Sequence, residues 1–304
     1  MLRLYRGLSH EEFTASPWTK TVIKTNSPRQ IDRPMAQGIL DFAKAGQLLV
    51  ITPFCLLGAM APITVAGALS LQHAEALAGI ALAQLARPGA PVMYGNFASN
   101  VDMKSGAPAF GTPEHIKATL GSGQLARHIG LPWRSAAGTA SNVADAQGAQ
   151  ENAMSLWATV LAGANMVIHA AGWLEGGLTH SYEKLILDME MVQVLAELCS
   201  PTAADEAEMA FDAIAEVMPG GHFFAAGHTM ERFHTAFYEP LVADWSNFGQ
   251  WSDAGAMTAD ERATLIWQER LEAYQPPPVD DERLAEVDAF IARRTAEGGA
   301  PPGE

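Results

Sequence analysis

Pro91-Val-Met-Tyr-Gly-Asn-Phe97, Leu131-Pro-Trp-Arg-Ser-Ala-Ala-Gly-Thr139 and Asn165-Met-Val-Ile-His-Ala-Ala-Gly-Trp173 follow one plan. A short apolar run ends in a cluster of polar, aromatic and small residues, and an amphipathic segment follows. Runs this uniformly apolar read as parallel strands covered on both faces. The loops that open at their ends are where α/β folds keep their chemistry.

Two earlier runs fit the same plan: Thr21-Val-Ile-Lys-Thr25 and Leu48-Leu-Val-Ile-Thr52. The five strand starts lie 27 to 43 residues apart, the pace of βα units. Helices are predicted between them. Residues 31–45 place Ile31, Met35, Ile39, Leu40 and Phe42 on one side, with Gly46 as the stop. An Ala/Leu-rich segment from about Thr64 to Ala86 ends at Arg87-Pro88-Gly89. Thr112-Pro113-Glu114 opens the next helix with a cap and a proline in its first turn. The segment from about Asp145 to Ala162 and the one carrying Leu185, Met189, Val192 and Leu195 complete the set.

Five βα units without a Gly-x-Gly-x-x-Gly turn favour a barrel over a dinucleotide-binding sheet. The expected fold is therefore α/β: a (β/α)8 TIM-type barrel, incomplete at the N-terminus, with a C-terminal helical extension. A full barrel needs eight units. Either stretches such as Gly220-Gly-His-Phe-Phe-Ala-Ala226 are irregular strands, or the chain is the C-terminal portion of a longer protein. Residues 1–204 read as the parallel barrel portion and 205–296 as a helical wrap of the same domain. That wrap comprises an acidic helix at 205–217, a charged helix near 258–273 and a last helix at 280–294. It covers the barrel or makes a subunit contact, so a homo-oligomer is an open option. Residues 297–304 read as a disordered tail.

Composition narrows the function. Apolar residues make up 48% of the 304 and charged residues only 17%, as in a globular protein with a deep core. A net charge of −15 without a basic block excludes nucleic acid as the expected partner. Residues 47–72 carry no charge, but Pro53 and Pro62 divide them, so a buried strand followed by a buried helix is expected rather than a membrane span. Cys55 and Cys199 form no framework and read as buried, reduced thiols. With no leader segment at the N-terminus, a cytoplasmic location is the expectation.

The strand ends share a chemical theme. Phe54, Tyr94, Phe97, Trp133, His169 and Trp173 stand at or just past them, accompanied by Asn96, Arg134 and Glu175. Aromatic faces hold a quaternary ammonium ion, which has no N–H to donate in a hydrogen bond, through their ring quadrupoles. An Arg or His nearby can take a carboxylate. Phe54 and Trp133 serve equally well as barrel packing. His222, His228 and His234 recur every six residues, which is neither helix-face spacing nor a zinc motif. Glu183, Asp188 and Glu190 read as a solvated helix face. Asp145, Gln147 and Glu151 open a helix, where carboxylates suit the dipole. No Ser/His/Asp elbow and no phosphate loop is present.

Longer stretches resemble a known family. Ala61-Pro-Ile-Thr-Val-Ala-Gly-Ala68, Gly89-Ala-Pro-Val-Met-Tyr-Gly95, Pro132-Trp-Arg-Ser-Ala-Ala-Gly138, Asp145-Ala-Gln-Gly-Ala-Gln-Glu151, His169-Ala-Ala-Gly-Trp-Leu-Glu-Gly-Gly177 and Tyr274-Gln-Pro-Pro277 are similar to the trimethylamine methyltransferase (MttB-like) family. The resemblance implies a (β/α)8 barrel that moves a methyl group from a methylamine or quaternary amine to Co(I) of a separate corrinoid protein. No cofactor is then bound directly; the cobalamin-type corrinoid travels on the partner. The trimethylamine enzymes carry pyrrolysine in the barrel, and this chain has none; the matching region is the loop around 138–142. Its absence favours a quaternary amine of the betaine type. Family members are longer at the N-terminus, in agreement with the count of βα units.

Overall fold

The computed structural model describes residues 1–299. Its centre is a five-stranded parallel sheet in the order β1-β2-β4-β7-β8, formed by β1 (Lys20–Ile23), β2 (Leu48–Ile51), β4 (Val92–Gly95), β7 (Trp133–Ala136) and β8 (Met166–Ile168). All five are the strands expected from the sequence. The sheet is curled, and β1 and β8 are its two unpaired edges, so the arrangement matches part of a TIM-type barrel.

Two of these strands continue past the sheet. β3 (Phe54–Leu57) extends β2, and β5 (Phe97–Val101) extends β4. They pair in parallel with the same offset as the strands below: Ile51 faces Tyr94, and Phe54 faces Phe97. Pro53, which lacks an N–H, marks the break in the ladder. β5 then turns back onto β6 (Pro108–Ala109). The Asn/Ser-rich segment after Tyr94, expected to be a loop, is therefore strand. The small-residue composition that suggested a loop instead belongs to a strand of the second, three-stranded sheet β3-β5-β6.

The helices begin where side chains can cap them. After two short N-terminal helices, α1 (Leu2–Tyr5) and α2 (His10–Ala15), come α3 (Arg33–Lys44), α4 (Val65–Ala86), α5 (Pro113–His128) and α6 (Ala146–Leu161). Asp32, Thr64, Thr112 and Asp145 each accept a first-turn N–H of the last four. These four lie side by side on one face of the sheet. Ile23, Leu49 and Ile51 pack against Ile39, Ala43 and Ala83 there, and Tyr94 and Trp133 against Ala76, Ala126 and Ala162. α4 is long and apolar enough to cross a membrane. Its buried side carries Gln72 and Glu75, both engaged within the protein.

β9 (Trp173–Leu174) and β10 (Thr179–His180) form a small hairpin after β8, ahead of α7 (Tyr182–Leu198). Beyond it the regular elements among the described residues are all helices: α8 (Glu206–Met209), α9 (Phe211–Glu216), α10 (Gly227–Arg232), α11 (Phe248–Asp253), α12 (Ala259–Glu272) and α13 (Asp281–Ala296). The single acidic helix expected at 205–217 is broken at Ala210, which adopts left-handed dihedrals (φ 50°). Gly220–Ala226 is not a strand. α12 packs along α7, and α13 lies against α1. The tail expected at 297–304 falls largely outside the described residues.

Glu183, Asp188 and Glu190 on α7 are not a solvated face. Asp188 and Lys184 form a buried ion pair, each 2% exposed, and Asp188 also accepts Gly172 N–H at 2.9 Å. Glu190 accepts the N–H groups of Val242 and Ala243, and Glu183 accepts the Trp267 indole N–H. Sequence spacing cannot reveal such partners, because each lies on another segment. Cys55 is buried as expected, whereas Cys199 is exposed at the end of α7.

Candidate active site

Strand alternation divides the predicted residues between two faces. Tyr94 and Trp133 are opposite one another and point into the helix layer. Tyr94 is fully buried; its hydroxyl accepts from Gln72 Nε2 at 3.1 Å and lies 3.2 Å from His73 Nδ1. Burial pushes its phenol up. Trp133 is packed against Gly123 and Ala162. Both are packing residues and are removed from the candidate site: position at a strand end was read correctly, but the face was not.

Gly95 and Arg134, one residue further on, are also opposite one another and take the other face. There a group of rings gathers around Phe97. Phe54, Phe110 and Trp173 stack on it with centroids 5.1, 5.1 and 5.5 Å away, and His169 lies 5.7 Å away. His169 and Trp173 are 4.5 Å apart. Four of the six predicted aromatic and histidine residues are thus brought together. Phe110 joins them unannounced, because the β5–β6 turn that returns it to the cluster was read as loop.

Arg134 lies directly against this group, its guanidinium carbon 5.6 Å from the Phe97 ring centroid. It is 2% exposed. Nη1 donates to Asn96 O at 3.1 Å, and Nε has no partner. No acidic group pairs with it among the described residues. Burial pushes its pKa down to about 10, which leaves it charged at neutral pH. Asn96 therefore contributes its carbonyl to Arg134; its own side-chain oxygen is buried and unpartnered.

The loop after β8 is held under backbone strain. His169 (φ 63°) and Glu175 (φ 52°) both adopt left-handed conformations that cost non-glycine residues free energy and that concentrate at functional sites. His169 is an exposed residue whose ring lies against Phe97 and Trp173. Partial burial against Phe97 and Trp173, then the charges of Arg134 and Lys24, push its pKa down to about 4. Glu175 is exposed at the rim, its N–H donating to Ser141 O.

The Trp173 indole is set by glycines and by a carboxylate behind them. A Cβ on Gly138 or Gly177 would come within 2.1 Å of the indole, so only glycine leaves the slot open. The Gly138–Ser141 loop is pinned by the Glu151 carboxylate, which accepts the Thr139 hydroxyl and the N–H groups of Ala140 and Ser141. Buried His115, whose Nδ1 accepts Gly111 N–H at 3.0 Å, ties down the approach to α5. Glu151 is therefore a loop anchor rather than a helix-dipole residue.

Among the described residues, those around His222, His228 and His234 included, no three His, Cys, Asp or Glu side chains are grouped so that they could hold a metal ion.

The family model for trimethylamine methyltransferase (MTTB) matches residues 1–299. The chain belongs to the trimethylamine methyltransferase family. Among its relatives, the glycine betaine methyltransferase of Desulfitobacterium hafniense (strain Y51) is 40% identical over 284 residues, covering 93% of this chain and 59% of that protein. The trimethylamine methyltransferase MttB of D. hafniense (strain DSM 10664 / DCB-2) is 32% identical, with 90% and 55% covered. The trimethylamine methyltransferase MttB2 of Methanosarcina mazei is 30% identical, with 96% and 59% covered. The chain thus spans well under two thirds of the length of these family members.

Proposed function

We propose that this chain carries the amine-binding half of a corrinoid-dependent methyltransferase for a quaternary amine of the betaine type. The observation that supports this most directly is Arg134: a buried cation with no acidic partner, against a cluster of aromatic rings. Such a cation is costly unless a ligand supplies the anion. Aromatic faces beside it suit the other end of a zwitterion, a fixed positive charge that no hydrogen bond can hold. Trimethylamine alone leaves Arg134 unanswered.

A methyl group on a positively charged nitrogen is already activated. When it departs, the nitrogen keeps the electron pair of the broken C–N bond and becomes a neutral tertiary amine. Co(I) of a corrinoid protein, once docked over the strand ends, supplies the nucleophile. The residues here do the positioning: Phe97, Trp173 and Phe110 hold the cation, Arg134 fixes the carboxylate, and neutral His169 closes one side without adding a competing charge. The complete catalytic unit, in this reading, is a closed (β/α)8 barrel with strands beyond the five seen here.

Methyl transfer from glycine betaine to Co(I) cobalamin, followed in the visible spectrum, tests the proposal, alongside calorimetric binding. Absence of both transfer and binding counts against it. The open edges and partial coverage of the relatives favour a second reading, a binder without turnover. Binding of betaine with no methyl transfer separates the two.

A further inference from the structure

The register aligns a row of side chains on the face away from the helices, one residue beyond the row that packs against them. Ile23 faces Ile51, Ile51 faces Tyr94, and Gly95 faces Arg134. One residue beyond Ile23 and Ile51, the row reads Lys24, Thr52, Gly95, Arg134. Directly opposed residues present their side chains to the same face. In a chain with 34 acidic and 19 basic residues, this row holds two cations, and neither has an acidic partner among the described residues.

Thr52 is 1% exposed and its hydroxyl has no hydrogen-bond partner. That hydroxyl leans over the next strand, 2.0 Å from where a Cβ on Gly95 would stand. The absence of a side chain at Gly95 gives the Thr52 hydroxyl its place, and on the far side of β4 the Arg134 Nε is likewise buried and without a partner. Buried polar groups are nearly always paired, so two such donors on one face, one on either side of β4, call for a shared acceptor. One turn of alternation nearer the mouth lie Phe54 and Phe97.

We infer that Thr52 and Arg134 form a carboxylate cradle over Gly95, at the floor of the aromatic site, and that Thr52 is a specificity-determining residue for carboxylate-bearing amines. This rests on the amine-site reading above and adds a polarity to it. The carboxylate points down onto the row, and the methylated nitrogen points up among Phe97, Trp173 and His169, towards the open mouth. An alcohol or a hydrogen in place of the carboxylate leaves both donors unanswered and is disfavoured.

Calorimetry on the full chain with four probes tests it: glycine betaine, choline, tetramethylammonium, and 3,3-dimethylbutanoate, which has betaine's shape without its positive charge. Thr52→Val keeps the shape and removes the hydroxyl. It is expected to weaken betaine and 3,3-dimethylbutanoate about ten-fold, the scale of one hydrogen bond to a charged group. Tetramethylammonium and choline should be unaffected, and Thr52→Ser should restore carboxylate binding. Because the hydroxyl is unpaired in the free protein, Thr52→Val should melt no earlier than wild type. Equal affinity of wild type and Thr52→Val for both carboxylates overturns the cradle. So does wild type binding choline as tightly as betaine, or binding neither carboxylate. Thr52-dependent binding of 3,3-dimethylbutanoate with no advantage for betaine upholds the cradle and removes the amine reading instead.

Discussion

On the proposed function, Arg134 is a residue whose cost to the fold is the mark of its use. Burying a guanidinium without a counter-ion is unfavourable, and its bond to Asn96 O and its contact with Phe97 offset this only in part. Arg134→Met should therefore raise stability, by about 1–3 kcal/mol, while abolishing betaine binding. A denaturation midpoint that falls would mean that Arg134 is a structural residue. His115 gives a second prediction. It is fully buried, and burial pushes its pKa down to about 4. The unfolded chain binds a proton near pH 6.5 that the folded chain refuses until about pH 4. Its contribution is thus complete above pH 6.5 and is lost as the pH falls through that window, by roughly 3 kcal/mol in total. Urea midpoints at pH 7.5 and 5 should differ less in His115→Gln than in wild type; an unchanged difference removes His115 as the cause.

At the scale of elements, the site depends on two loops locked to one another. Glu175 N–H donates to Ser141 O and Gly176 N–H to Thr139 O, so the loop after β7 carries the loop after β8. Gly138→Ala drives a methyl into the Trp173 indole. It should cost roughly 1–3 kcal/mol by overpacking and weaken tetramethylammonium binding, because the ring must leave its slot. Gly227→Ala, where a Cβ meets nothing within 4 Å, is the matched control. Retained binding in Gly138→Ala would take Trp173 out of the cation site. The short strands and their helices were legible because apolar runs and capping residues act locally. β3, β5 and β6 were not, since their stability comes from pairing with one another and their composition resembles loop.

At the scale of the molecule, the sheet has two open edges. β1 and β8 each bond a neighbour on one side only, and β8 is only partly buried along its length. Hydrogen exchange should show β4 and β7 amides the most protected and β8 amides, together with those of β1, exchanging well ahead of them. Equal protection at Met166–Ile168 would mean that another segment or chain covers that edge in solution. Exposed edges of this kind invite pairing. They agree with a chain that spans 59% of a longer relative and forms five strands of an architecture that uses eight.

Local pattern alone was enough for the five central strands, the helices between them and the family, because periodicity, caps and short motifs are properties of neighbours along the chain. It also singled out Phe97, Arg134, His169 and Trp173, which the fold brings together. Folding in three dimensions decided which face each strand-end residue took. It sent Tyr94 and Trp133 to the helices, brought in Phe110, and set Thr52 across Gly95 from Arg134. The reason is physical: a one-residue difference along a strand reverses a side chain's face, and only the register between strands, set by packing far away in sequence, fixes which residues meet.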